Sequence, residues 1–178
     1  MWDVATGKRL WRLVPPRKND FNVPTPIQYG EYLLVTTENN GTRLYRFKSG
    51  GQIDPTPVAS NSDLAPDSHT PVVVGDRLFG IWGGLRCLDL KKGLKEVWIS
   101  EDKPFRAYGA IVATDERLLV ISQQGELFLV DARADKFRLL GRLPVLKDDN
   151  GVYSHPAFVG TRVYLRGNSS IVCLDLKE

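Results

Sequence analysis

Few residues in this chain have the types and spacing to do chemistry. Its two histidines, His69 and His155, both stand at the entry to an apolar run, in "HTPVVV" and "HPAFVG". A repeated histidine invites a metal reading, yet structural and catalytic metal sites need three or four converging ligands. No further ligand is identifiable, so the expectation is a ring that hydrogen-bonds backbone between repeats. Cys87 and Cys173 could pair as a disulfide. The paired carboxylates of "KDDN" (147 to 150) read as a solvated loop. No Gly-rich phosphate loop, G-x-S-x-G elbow or H-E-x-x-H motif is present. What remains is a set of donors and flat faces: Asn22, Ser68, His69, Arg106, Tyr108, Tyr153, Ser154 and His155. Such residues suit the recognition of carbohydrate hydroxyls or a carboxylate better than an apolar ligand.

The elements that must position these residues come from an internal repeat. Leu33, Leu78, Leu118 and Val163 lie in like-patterned apolar runs, at spacings of 45, 40 and 45 residues. A second series, Arg46, Asp89, Asp131 and Asp175, is spaced by 43, 42 and 44, and Asp3 precedes Arg46 by 43. The apolar runs are short, rich in Val, Ile, Leu, Tyr and Phe, and separated by Gly- or Asn-bearing turns such as "ENNGT" and "GNSS". Those are strand and hairpin signals. Asn40 and Asn168 head N-x-S/T triplets within these turns, where Asn is favoured for its backbone geometry.

Units of about 40 to 45 residues with four short strands each predict β-propeller blades. The expected division is an end of a preceding blade at 1–14, then blades at 22–60, 68–101, 105–144 and 153–178. The last of these lacks its outer strand. The outer strand of the first blade falls near residues 52 to 60, where Pro55 and Pro57 remove ladder donors, so it should be irregular. Because Cys87 and Cys173 occupy one repeat position two blades apart, they should be buried free thiols rather than a disulfide, whose Cα atoms must lie within about 7 Å. The pattern points to an open arc, part of a larger seven- or eight-bladed ring, with exposed edges that self-associate. A closed four-bladed ring is the alternative.

Composition narrows the function classes. Charged residues make up 25% of the 178, and the net charge is only +3 with no long basic run, which speaks against a nucleic-acid binder. No stretch approaches the roughly 18 apolar residues of a membrane helix, and residues 1–20 show no charged region followed by an apolar run.

The opening stretch "DVATGKRLW" supplies a resemblance. Asp3, Thr6, Gly7 and Trp11 resemble the tryptophan-docking motif of quinoprotein-like (PQQ-like) β-propellers, A-x-D-x-x-T-G-x-x-x-W. A second copy runs through Asp89, Gly93 and Trp98 with one extra residue, whereas a third keeps Asp131 but has Leu140 at the tryptophan position. The chain also looks like the outer-membrane assembly lipoprotein propellers. The resemblance implies a non-catalytic scaffold or interaction module of a larger exported protein, periplasmic or extracellular, whose partners are further blades or another protein. It leaves as alternatives a PQQ- and calcium-dependent oxidoreductase and a carbohydrate- or peptide-binding propeller. No residue here matches the family's calcium ligands, catalytic aspartate or adjacent cysteine pair, so no cofactor is expected. In such folds ligands sit at the channel mouth, where each outer strand leads into the next inner strand. That location makes Ser68, His69, Arg106, Tyr108, Tyr153 and His155 the candidate site.

Overall fold

The structure is a computed structural model that describes residues 1–146, 149 and 151–177. Strands form where β-branched and aromatic residues cluster, and they stop where Gly or Asn supplies a tight turn. Among the described residues the result is fifteen strands in four antiparallel sheets, each sheet drawn from one stretch of sequence. Helical structure among the described residues is confined to two single 3-10 turns. The chain divides into two compact units, Met1–Ser68 and His69–Glu178.

In the first unit, β1 (Ile27–Tyr29), β2 (Tyr32–Thr37), β3 (Gly41–Arg46) and β4 (Ala59–Asn61) pair in chain order. Leu34, Leu44, Tyr45, Ile53, Leu64 and Ala65 are buried in it. The outer strand β4 is only three residues long and pairs with Thr42 to Leu44. It follows Pro55 and Pro57, which cannot donate to a ladder. Ahead of the sheet, Trp2 and Arg9 form an isolated antiparallel bridge.

The second unit holds three sheets. The first contains β5 (Val72–Val74), β6 (Arg77–Ile81), β7 (Leu85–Asp89) and β8 (Lys95–Ser100). The next contains β9 (Gly109–Ala113), β10 (Arg117–Ser122), β11 (Glu126–Asp131) and β12 (Leu139–Pro144). The last, of β13 (Ala157–Val159), β14 (Arg162–Arg166) and β15 (Ile171–Asp175), has three strands among the described residues. Both four-stranded sheets carry a register irregularity where the third strand meets the fourth, at Cys87/Leu88 and at Leu129/Val130. Such a bulge bends the outer strand and raises its twist.

Cores form between sheets rather than within them. Phe79, Ile81, Leu85, Cys87 and Trp98 pack with Phe105 of the connecting 3-10 turn and with Ile111, Val120 and Phe128 of the next sheet. Ala110, Ile121 and Leu127 in turn pack with Val163 and Leu165. This arrangement corrects one expectation. Cys87 is fully buried, but Cys173 is exposed. Cys87 packs against the following sheet, whereas among the described residues of this unit no sheet packs over Cys173. Both are free thiols.

Candidate functional site

The inner strands β5, β9 and β13 begin one after another at corresponding ends of three successive sheets, so the residues just before them are held close. His69, Tyr108 and Tyr153 come together there. The Tyr108 ring meets His69 edge-on at 6.4 Å and lies 5.1 Å from the Tyr153 ring. The Tyr108 hydroxyl donates to the Tyr153 carbonyl at 2.9 Å, and Gln123 Nε2 donates to the Tyr153 hydroxyl. Burial pushes the Tyr108 phenol up from its ordinary pKa. Tyr153 is 60% exposed, so its ring offers a flat face to a ligand. The arrangement suits stacking and hydrogen bonding. Sequence reasoning missed Gln123, which lies in the β10–β11 turn rather than before an inner strand.

The other candidates make local hydrogen bonds of their own. Arg106 is exposed and its Nε donates to the Glu101 carbonyl, closing the 3-10 turn Lys103–Phe105 back on its own loop. Ser68 donates to Asp67 in the first unit. Asn22 donates to the Asp20 carbonyl.

The two histidines are not equivalent, which corrects their reading as one repeated position. His69 is 3% exposed and its Nε2 accepts from the Ile81 amide at 2.9 Å, twelve residues on and in the same sheet rather than between sheets. An accepting Nε2 assigns the ring proton of the neutral imidazole to Nδ1. In the last sheet Ser154, not His155, makes the corresponding tie, its hydroxyl donating to the Arg166 carbonyl twelve residues on. His155 is exposed. The signal was present in the prolines: His69 stands two residues before Pro71, but His155 directly precedes Pro156. A one-residue shift in a strand turns a side chain to the other face.

The turn motifs at the opposite ends of the outer strands show a consistent geometry. Asp3 Oδ1 accepts from the Thr6 amide and hydroxyl, and Asp89 Oδ1 accepts from the Lys92 amide. Gly7 and Gly93 both hold φ of +67°, the left-handed region that suits glycine. Trp98 Nε1 donates to the Ala134 carbonyl at 3.2 Å, in the β11–β12 connection of the next sheet. Trp11 Nε1 donates to the Gly51 carbonyl at 2.9 Å, in the β3–β4 connection. Leu140, standing where a third tryptophan would be, is 38% exposed.

The reading of "KDDN" as solvated is also corrected at the one position that can be judged, since Lys147, Asp148 and Asn150 lie outside the described residues. Asp149 is 6% exposed. Its carboxylate accepts from the amides of Asn168, Ser169 and Ser170 and from both serine hydroxyls, at 2.6 to 3.2 Å. Those bonds, led by the Ser169 amide, hold its carboxyl below the ordinary pKa. Asp20 does the same to the β2–β3 turn, accepting from the Asn39 amide at 2.8 Å and from the Asn40 side chain. Each carboxylate lies nineteen residues before the first turn amide that it binds.

No family model matches the chain, and no curated protein matches it. Solved structures do. BamB from Moraxella catarrhalis is similar at a TM-score of 0.68 and 15% identity, over 97% of this chain and 50% of that one. The chain is built of β-propeller blades. It spans about half the length of this neighbour. A chain in an S. cerevisiae complex of dbp5 bound to nup159 and gle1 is similar at a TM-score of 0.51 and 14% identity, over 81% of this chain and 38% of that one. At these identities the likeness concerns the fold.

Proposed function

We propose that these blades are a non-catalytic scaffold and interaction module, of the PQQ-like propeller type, that docks a partner protein on the Tyr108–Tyr153 surface. One observation carries the reading: three successive inner-strand entries bring His69, Tyr108 and Tyr153 into contact while leaving the Tyr153 ring open. An aromatic face supported by fixed hydrogen bonds is what interfaces use as an anchor. The likeness to BamB, a propeller lipoprotein of outer-membrane assembly, supports both an interaction role and an exported protein. No helix among the described residues is long and apolar enough to cross a membrane.

This reading assigns no PQQ and no calcium to the blades: calcium takes six to eight oxygen ligands, and no residue here matches the calcium ligands of the quinoprotein-like family. Cys87 and Cys173 stand in separate sheets rather than adjacent.

Labelled protein screened against a random peptide array and a glycan array tests the reading. Tyr153→Ala should weaken the peptide hits about tenfold or more and leave the urea midpoint nearly unchanged. Peptide hits that survive Tyr153→Ala would overturn the site. Hits on the glycan array alone would favour the carbohydrate-binding alternative.

A further inference from the structure

Arg43 carries a charge that the fold takes out of water without pairing it to an acid. It stands on β3, directly across from Ser60 of β4, and is 4% exposed. Its guanidinium bonds go to neutral oxygens. Nη2 donates to the Thr37 hydroxyl at 2.8 Å and Nη1 to the Tyr45 hydroxyl at 3.2 Å. The buried Nε has no hydrogen-bond partner among the described residues. The ion pairs formed in this unit, Arg46 with Glu31 and Lys48 with Asp54, do not involve it. Asp20 feels the Arg43 charge, but it spends its oxygens on the Asn39 amide and the Asn40 side chain. A buried charge without a counter-charge is destabilising, and a bound anion would relieve it.

Arg43 lines a cavity of about 340 Å³ together with Arg17, Glu38, Asn40, Ser60 and Ser62. Its walls are fixed from two sides. The Arg17 amide donates to Asn40 Oδ1 at 2.9 Å, and the Arg17 carbonyl accepts from Asn40 Nδ2 at 3.1 Å. Gly41 holds φ of +64°, and a Cβ there would fall 2.4 Å from the Asn61 carbonyl oxygen, so glycine lets β4 approach this closely. Every one of these residues belongs to the first compact unit.

We propose that this cavity binds a carboxylate, paired with Arg43 and hydrogen-bonded by Ser60 and Ser62. A planar guanidinium matches carboxylate and phosphate alike, so the charge on the walls selects between them. Arg17 and Arg43 set against Glu38 leave one positive charge, which a carboxylate balances and a phosphate dianion exceeds. The volume lies at the lower end of the roughly 300–1,000 Å³ of ligand sites. That is room for a small free acid or for one acidic side chain of a partner. Neither Tyr108 nor Tyr153 takes part, so failure here leaves the preceding proposal standing.

Backbone amide NMR of the full chain, read at Gly41, Ser60 and Ser62, tests it. These signals should shift saturably with acetate and with the blocked peptide N-acetyl-Gly-Asp-Gly-amide. Chloride and inorganic phosphate at matched ionic strength should not reproduce the shifts. Peptide affinity about tenfold or more above that of acetate assigns a partner's side chain, and equal affinity assigns a free acid. Arg43→Lys keeps the charge but loses the planar fork, and should weaken binding about tenfold. Ser60→Ala with Ser62→Ala alters exposed side chains and should weaken it by a similar factor, about tenfold, because hydrogen bonds to a charged group are the strong ones. No saturable shift with either probe, the same shift with phosphate, or an unchanged affinity in the serine variant would each overturn the proposal. Should Arg43→Lys fail to fold, the serine variant decides.

Discussion

Trp11 and Trp98 make the same hydrogen bond in different surroundings. Each indole donates to a backbone carbonyl in the turn before the outer strand of the sheet that follows it. Trp98 is 7% exposed and wedged between Phe79, 5.8 Å away, and Phe137, 5.6 Å away. Trp11 is only half-buried, and an open cavity lies beside it. The polar contact is thus set by the local motif, which both copies share. The apolar burial is set by whether a complete sheet stands behind the indole. Cys87 and Cys173 repeat the lesson, with one repeat position, a sheet packed over one thiol and, among the described residues, none over the other.

The largest effect to look for lies in the thiols. Burial pushes Cys87 up to about 12 from 9.0, so its thiolate at pH 8 should be about a thousandfold scarcer than that of an ordinary cysteine. Titration with a thiol reagent should find Cys173 at once and Cys87 only in denaturant. Prompt labelling of Cys87 in the native protein would break the comparison.

Next come the tryptophans. Trp98→Ala should cost about 3–5 kcal/mol in urea melts, as loss of a packed core aromatic does. Trp11→Ala should cost about 1 kcal/mol, the net worth of its hydrogen bond. Equal losses would mean that the shared bond, not the sheet behind it, carries the energy.

The smallest effect should come from the carboxylate clamp. Asp149 has a folded pKa below its ordinary 3.8, so its contribution to stability is present above that value. It is lost as pH falls through the lowered folded pKa. Asp149→Asn should therefore lower the urea midpoint at pH 7 and flatten the acid limb of the stability curve, read by tryptophan fluorescence. An unchanged acid limb would remove the clamp.

Much of this was legible in the sequence, and the exceptions are particular. The 45- and 43-residue spacings located all four sheets, because strand type and turn position depend on neighbouring residues. The short β4 followed from Pro55 and Pro57. The contact of His69, Tyr108 and Tyr153 followed from their shared place before an inner strand. His155 was misread because the histidines, rather than the prolines, were aligned. Asp149 was misread although Asp20, with the same offset to its turn, repeats it; a carboxylate reaching a turn nineteen residues on leaves no periodic mark. Gln123 and Arg106 turned on side-chain direction, which repeat position does not specify.

By itself, then, the sequence determined the strand period, the Asp–Gly turns and the indole donors, since each depends on residues within a few positions of one another. Only the tertiary structure decided which equivalent positions are buried. Cys87 and Trp98 are covered, while Cys173 and Trp11 stay open, because burial depends on the sheet that packs against a position, and that sheet comes from a distant stretch of chain.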